Sequence, residues 1–140
     1  MSVQGYPHPL PQADHLTQPW WAASHRHELV IQECGDCRTL RHPPQAVCSN
    51  CGSESISWRT MSGRGKLYSY VIVHQTALPS WRASVPYNIV MVELEDAPEI
   101  QLYGNVIDVE PEDLKVGLPL EVVFDDVTPD DTIVRWRLLS

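Results

Sequence analysis

The strongest chemical signal in the sequence is a set of four cysteines arranged in two pairs. Cys34 and Cys37 are separated by two residues, ten residues follow, and Cys48 and Cys51 repeat the spacing. A two-residue gap lets a tight turn direct both sulfurs at one ion, and two such turns complete a tetrahedral four-thiolate site. Gly52, directly after the second pair, is typical of a turn that needs positive φ. The pattern predicts a structural zinc ion with no open coordination position.

Other uses of these cysteines are less consistent with the pattern. Sulfur ligands leave iron open as an alternative ion, as in rubredoxin. A thioredoxin-like redox site would need one pair only, next to a βαβ pattern that the sequence lacks. The segment between the pairs holds too little apolar mass to fold without its ion, so we expect metal binding and local folding to be one event.

A second group combines cations with an indole ring. Arg64 and Lys66 open the first long strand, and Trp81 and Arg82 lie in the loop after it. Cations beside an exposed aromatic ring could bind a phosphate and its base, so these four residues are the candidate contacts for a CoA-like ligand. The alternative is that they are scattered surface cations with Trp81 covering a loop.

Two adjacent tryptophans form a candidate contact surface. Successive residues on a helix point about 100° apart, so Trp20 and Trp21 cannot both face the core. We expect one ring to cover the core and the other to lie at a partner interface or groove. The alternative is that both pack on the rest of the chain.

We predict no catalytic residues. The sequence has no nucleophile elbow and no phosphate-binding glycine motif. His25 and His27 alternate on one helix end and are expected to be solvated rather than metal-ligating. This chain alone is therefore not expected to be an enzyme.

Charge and hydropathy exclude further classes. The 140 residues carry a net charge of −8. Residues 1–85 hold seven Lys/Arg and five Asp/Glu, a net +2, whereas residues 86–140 hold three and thirteen, a net −10. Strong non-specific nucleic-acid binding needs the opposite sign. No apolar run reaches the roughly 18 residues of a membrane span. The first residues resemble no signal peptide, so the cytoplasm is the expected compartment.

The elements that must position these residues are mostly strands. Four prolines in residues 1–19 indicate an extended arm, and a helix is predicted over residues 17–28. The predicted strands are 29–33, 66–76, 87–96, 99–108, 118–124 and 132–139. A helical turn at 110–114, between the third and fourth of the last five strands, matches an OB-fold barrel. An SH3-like barrel or a small sandwich is the alternative.

The predicted fold class is mostly β, with an N-terminal helix, a rubredoxin-like zinc ribbon and a C-terminal five-stranded OB-fold barrel. The predicted domains are an arm and helix (1–28), the ribbon (29–58) and the barrel (59–140).

The ordered motifs resemble the domain-of-unknown-function-35 family. The ribbon half is carried by Gln32-x-Cys34-x-x-Cys37, Pro43-Pro44 and Cys48-x-x-Cys51-Gly. The barrel half is carried by Gly65-Lys-Leu-Tyr-Ser-Tyr70, Pro86-Tyr87, Gly104-Asn105 and Leu114-Lys-Val-Gly117-x-Pro119. The resemblance covers residues 17–140.

This resemblance implies a non-catalytic accessory subunit of a thiolase-superfamily or lipid-transfer-protein-like aldolase partner, together forming a heterotetramer. It implies that the chain stabilises the partner and helps to form its acyl-CoA channel, in a retro-aldol carbon–carbon lyase of steroid side-chain degradation. The expected cofactor is structural zinc, and acyl-CoA is a possible shared ligand. The alternative functions are a single-stranded nucleic-acid-binding protein, which the acidic barrel disfavours, and a stand-alone enzyme.

Overall fold

The computed structural model describes residues 6–139 as one helix followed by two antiparallel sheets. Within this range no helix is long and apolar enough to cross a bilayer. Short 3₁₀ helices cover Pro79–Ser84 and Pro111–Asp113. The regular elements in chain order are α1 (Gln18–His25), β1 (Val30–Cys34), β2 (Leu40–Arg41), β3 (Ile56–Thr60), β4 (Arg64–Val73), β5 (Tyr87–Leu94), β6 (Ala97–Gly104), β7 (Pro119–Asp126) and β8 (Thr132–Leu138).

The first sheet is small and has the strand order β2-β1-β3. Its central strand β1 is buried along its whole length. Helix α1 packs on it, and Ile31 joins the core cluster that the barrel residues form. The buried amide of Gln32 on this strand accepts hydrogen bonds from the Arg41 guanidinium and from the Gln45 N–H, the latter at 2.8 Å. A buried side chain thus holds the loop between the two cysteine pairs in place.

The second sheet has the order β6-β5-β4-β7-β8 and closes into a barrel. Closure uses a parallel bridge between Val106 and Trp136. There the Trp136 N–H donates to the Asn105 carbonyl at 2.9 Å and the Ile107 N–H donates to the Trp136 carbonyl at 2.8 Å. The third and fifth barrel strands are therefore joined in parallel, and the Pro111–Asp113 turn lies between the third and fourth. The predicted five-stranded OB fold is confirmed.

The barrel core is centred on Trp136, whose side chain is fully buried. Gly104 ends β6 against this ring, because a Cβ at residue 104 would lie 3.1 Å from Trp136 Cδ1. A glycine inside the predicted strand 99–108 is typical of a bulge or a sharp bend. The register shifts instead occur between Leu67 and Ser69 and between Glu93 and Leu94, and the glycine provides room for the indole.

The helix is shorter than predicted. It ends at His25, and His27 takes a φ of 64°, at the turn that leads into β1 of the small sheet. Residues 1–5 of the predicted arm and Ser140 of the predicted barrel lie outside the described residues. Strand β3 runs on to Thr60, so the predicted boundary between residues 58 and 59 falls inside a strand of the small sheet.

Candidate functional site

The four cysteine sulfurs converge at one end of the small sheet. All four Sγ atoms lie within 4.8 Å of one another. The Sγ atoms of Cys34 and Cys51 are 3.6 Å apart, as are those of Cys37 and Cys48. Cys34 and Cys48 are buried, whereas Cys37 is half-buried and Cys51 is exposed. This is the arrangement that four ligands of one tetrahedral ion require.

Each cysteine pair lies in a turn whose backbone N–H groups donate hydrogen bonds to a cysteine sulfur. The N–H groups of Asp36 and Cys37 each donate to Cys34 Sγ at 3.4 Å. In the second turn the Asn50 N–H donates to Cys48 Sγ at 3.4 Å. Such bonds stabilise the thiolate form, so the turns are built for ionised sulfurs.

The two turns share one backbone pattern. The Cys34 carbonyl accepts from the Arg38 N–H at 3.1 Å, and the Cys48 carbonyl accepts from the Gly52 N–H at 2.9 Å. Arg38 and Gly52 both have positive φ, 66° and 79°. The prediction for Gly52 is confirmed. That Arg38 occupies the equivalent position was missed, because an arginine there carries no glycine signal.

Hydrogen bonds shift the pKa values of the thiols in opposite directions. The Asn50 amide and the Thr39 hydroxyl lower the pKa of Cys37 to about 5. Backbone N–H groups lower the pKa of Cys34. The Ser53 N–H favours the Cys51 thiolate, but the neighbouring sulfurs of Cys37 and Cys34 outweigh it and raise the pKa of Cys51 to about 12. Four thiolates this close repel one another, so only a cation can hold all four ionised.

Contacts between the two turns complete the site. The Ser53 hydroxyl donates to the Asp36 carboxylate. The Gly35 N–H donates to the Ser55 carbonyl at 2.9 Å, and a Cβ at residue 35 would clash with the Ser55 side chain. Only glycine allows this approach. The four-cysteine cluster is consistent with structural zinc, and four protein ligands would leave no position for substrate.

The predicted cation and indole group is divided by the length of β4. Arg64 and Lys66 begin this strand, and Lys66 pairs with Glu93 at 3.5 Å. Trp81 and Arg82 lie in the 3₁₀ helix beyond its other end. Along the chain, the strand residues from Leu67 to Val73 separate the two pairs, which therefore belong to opposite ends of β4. A common CoA contact by any of these four residues remains a prediction.

Trp81 is covered by the N-terminal arm. The imidazole of His8 stacks on its indole at 3.6 Å, and Tyr87 contacts it at 4.9 Å between ring centroids. His8 Nε2 also lies 3.4 Å from the Ser84 hydroxyl. At His8 the arm therefore packs on the 3₁₀ helix Pro79–Ser84.

The two adjacent tryptophans diverge as their spacing on the helix requires. Their rings meet edge to face, with centroids 4.8 Å apart. Trp20 packs against the buried core cluster. Trp21 is half-buried and lines surface cavities. A partner contact by either ring remains a prediction.

The fold and the metal site define a class: a rubredoxin-like zinc ribbon joined to an OB-fold barrel. Residues 20–57 match the family model "ChsH2, rubredoxin-like zinc ribbon domain". Residues 58–125 match "ChsH2, C-terminal OB-fold domain". The chain belongs to this ChsH2, or DUF35, family.

The relatives of this chain include two hydratase subunits and a chain of an aldolase. A solved chain titled "Ltp2-ChsH2(DUF35) aldolase" superposes with a TM-score of 0.82 at 30% identity, covering 91% of this chain and 98% of that chain. The "Probable enoyl-CoA hydratase alpha subunit" of Thermomonospora curvata is 32% identical over 92% of this chain. The "3-oxo-4,17-pregnadiene-20-carboxyl-CoA hydratase alpha subunit" of Mycobacterium tuberculosis is 31% identical over 91% of it. The chain spans only 39% of each hydratase subunit.

Proposed function

We propose that this chain is a non-catalytic accessory subunit of a thiolase-superfamily enzyme that acts on acyl-CoA thioesters. The observation that carries the proposal is the match, over nearly the full length of both chains, to the DUF35 chain of the Ltp2-ChsH2 aldolase. We assign the reaction of the complex to retro-aldol cleavage of a steroid side chain, with the carbon–carbon bond broken in the partner's active site.

The metal centre supports a structural role. A catalytic zinc site keeps one position open for water or substrate, whereas four cysteine ligands saturate the ion. When bound, zinc would be held by Cys34, Cys37, Cys48 and Cys51 and would fix the ribbon beside the barrel. The residues of this chain then act by shape: they bind the partner and border its acyl-CoA channel.

The substrate class is supported by the names of the relatives. The names of both hydratase relatives include an acyl-CoA, and the mycobacterial name also includes a pregnadiene group. Because these relatives are hydratase subunits, association with an enoyl-CoA hydratase is the second candidate function. Net charge of −10 over residues 86–140 continues to disfavour the nucleic-acid alternative.

Co-expression tests the proposal. The chain would be produced with each lipid-transfer-protein-like, thiolase-superfamily or hydratase subunit of its own genome, and complexes isolated by size-exclusion chromatography. We expect a stable heterotetramer with an aldolase subunit that cleaves a steroid β-hydroxyacyl-CoA. Association with a hydratase subunit alone would favour the second candidate, and a chain that binds none of them would refute both.

A further inference from the structure

The outer surface of the barrel carries an apolar region that its own fold leaves uncovered. Val71 on β4 lies directly opposite Ile89 on β5, and Met91 on β5 lies opposite Tyr103 on β6. Side chains two residues apart on a strand share a face, so these four side chains form one outward patch. Tyr103 is 73% exposed, Val71 56% and Ile89 37%. We call these four residues the outer patch.

A groove lined by aromatic rings continues the outer patch towards the helix. It encloses about 380 Å³, and Ile89 and Tyr103 belong to both its lining and the patch. Its other walls are the rings of Trp20, Trp21 and Trp81. Gly104, next to Tyr103, also lines it. The three indole rings are half-buried and Tyr103 is exposed. Aromatic rings that remain partly accessible around a concave centre are the usual anchors of a protein–protein interface.

The border of this surface on the helix side is acidic. Trp21 also lines a neighbouring cavity together with Asp130 and Asp131 in the β7–β8 turn. In residues 6–139 neither carboxylate has an ion-pair partner. The β5–β6 turn at the opposite end is also acidic, with exposed Glu95 and Asp96.

Cations near the surface offset little of this charge. Arg135, beside the groove, is bound to Asp125 at 2.7 Å, and Lys66 is paired with Glu93. Arg82, next to Trp81, is exposed and has no ion-pair partner within residues 6–139. The surface therefore has an apolar centre between two acidic turns.

We propose that the outer patch and its groove bind a partner protein whose contact face has an apolar centre flanked by lysine or arginine. This inference rests on the proposed function, since it assigns the surface that the enzyme subunit covers. A second copy of this chain fits less well, because it would bring a second pair of acidic turns to the interface, and like charges across an interface oppose association.

The geometry also assigns unequal roles within the surface. Tyr103 and Ile89 lie where the patch and the groove meet, so a partner side chain seated in the groove would contact both. They are the expected centre of the binding energy. Asp130 and Asp131 lie at the border, where charges mainly raise the association rate and its salt dependence.

The test uses the full chain and the aldolase subunit that co-purifies with it. Tyr103→Glu and Ile89→Glu are expected to weaken binding by about 30-fold or more, since central contacts dominate an interface. Val116→Glu is the matched control, because Val116 is 68% exposed and lies in the loop before β7. It should change affinity less than about threefold. Zinc content and thermal unfolding of each free variant check that folding is intact.

Charge supplies an independent measurement. The double variant Asp130→Lys, Asp131→Lys should lower the association rate constant by about tenfold at low salt and flatten its dependence on ionic strength. If Tyr103→Glu and Ile89→Glu bind the aldolase subunit as tightly as the wild type does, this surface assignment is overturned. The proposed function would still stand.

Two other results would overturn the inference in different ways. A homodimer of the chain alone that Tyr103→Glu abolishes would show that a second copy occupies the surface. Failure of the wild-type chain to bind any of the candidate subunits would overturn both the surface and the proposed function. Loss of binding in both glutamate variants with Val116→Glu unaffected supports it.

Discussion

The small sheet of β1–β3 and the barrel of β4–β8 are both antiparallel, but they differ in how much apolar surface they bury. All but three of the apolar residues in the buried cluster come from residues 67–136, and those three are Leu29, Ile31 and Met61. The ribbon loops beyond β1 hold the cysteine turns, with Val47 and Ile56 exposed. One region is therefore expected to depend on its ion, and the other on burial of apolar surface.

Removing one cysteine ligand should produce the largest difference in stability between the small sheet and the barrel. Cys48→Ser is expected to release zinc and unfold residues 30–58, because metal binding to such a site is worth on the order of 10 kcal/mol of local folding. The barrel should keep part of its structure. Metal analysis and amide NMR spectra of the variant measure both effects.

Val47→Ser is the matched control for this experiment, since Val47 neighbours the ligand and is 49% exposed. It should retain full zinc and an unchanged ribbon. Folded protein without any bound metal in the wild type would contradict the interpretation of the ribbon.

The converse experiment disrupts the barrel core. Trp136→Ala removes a fully buried ring and should cost about 3–5 kcal/mol of unfolding free energy, measured by urea denaturation. Tyr103→Ala removes a ring that is 73% exposed and should cost less than about 0.5 kcal/mol. Equal losses from the two substitutions would show that Trp136 is not the centre of the core.

Gly65→Ala tests a smaller contact within the barrel. A Cβ at residue 65 would lie 2.5 Å from the Glu93 carbonyl oxygen, which is backbone and cannot rotate away. We expect a loss of about 1–3 kcal/mol of unfolding free energy, with zinc content unchanged. Ser69→Ala, at an exposed position of the same strand, should be close to neutral. A neutral Gly65→Ala variant would show that β4 and β5 can separate at this point.

The smallest expected effect concerns the link between helix and barrel, and it depends on pH. The Thr132 hydroxyl donates to Asp126 Oδ1 at 2.5 Å, and His27 Nε2 lies 2.9 Å from Oδ2. The Thr132 bond, followed by His27, lowers the pKa of Asp126. A carboxyl whose pKa is lower in the folded state stabilises the fold above its unfolded pKa, and this contribution is lost as pH falls through the folded value.

Asp126→Asn should therefore be less stable than the wild type at neutral pH, and the difference should shrink as pH falls below about 4. Urea denaturation between pH 3 and pH 7 measures it. Asp130→Asn, an exposed carboxyl in the same turn, is the control and should show no such convergence. A constant difference across this range would contradict the assigned cause.

The metal site could be predicted from the sequence because its chemistry is local. Each pair of cysteines is brought together by a turn of a few residues, so spacing alone indicates where the sulfurs point. The five barrel strands and the helical turn between the third and fourth could also be predicted, because the alternation of apolar and polar residues and the turn residues are local patterns. The exact end of α1 and the left-handed conformation of Arg38 were not, since neither has a residue-type signature.

The surface of the barrel was not predictable in this way. Arg64 and Trp81 are near in sequence, but Arg64 begins β4 and Trp81 follows its other end. Trp21 and Tyr103, by contrast, are 82 positions apart and line one groove. Gly65 is the second residue of β4, the central strand of the barrel sheet, and a Cβ there would meet the Glu93 backbone.

The sequence by itself determined the ligands of the ion, the class of each module and the excess of acid in the second half of the chain. The tertiary structure decided which side chains share a surface. The physical reason is range: turns and strand periodicity act over a few residues, whereas barrel closure at Val106 and Trp136 and the return of the chain after His27 bring together residues that no local pattern relates.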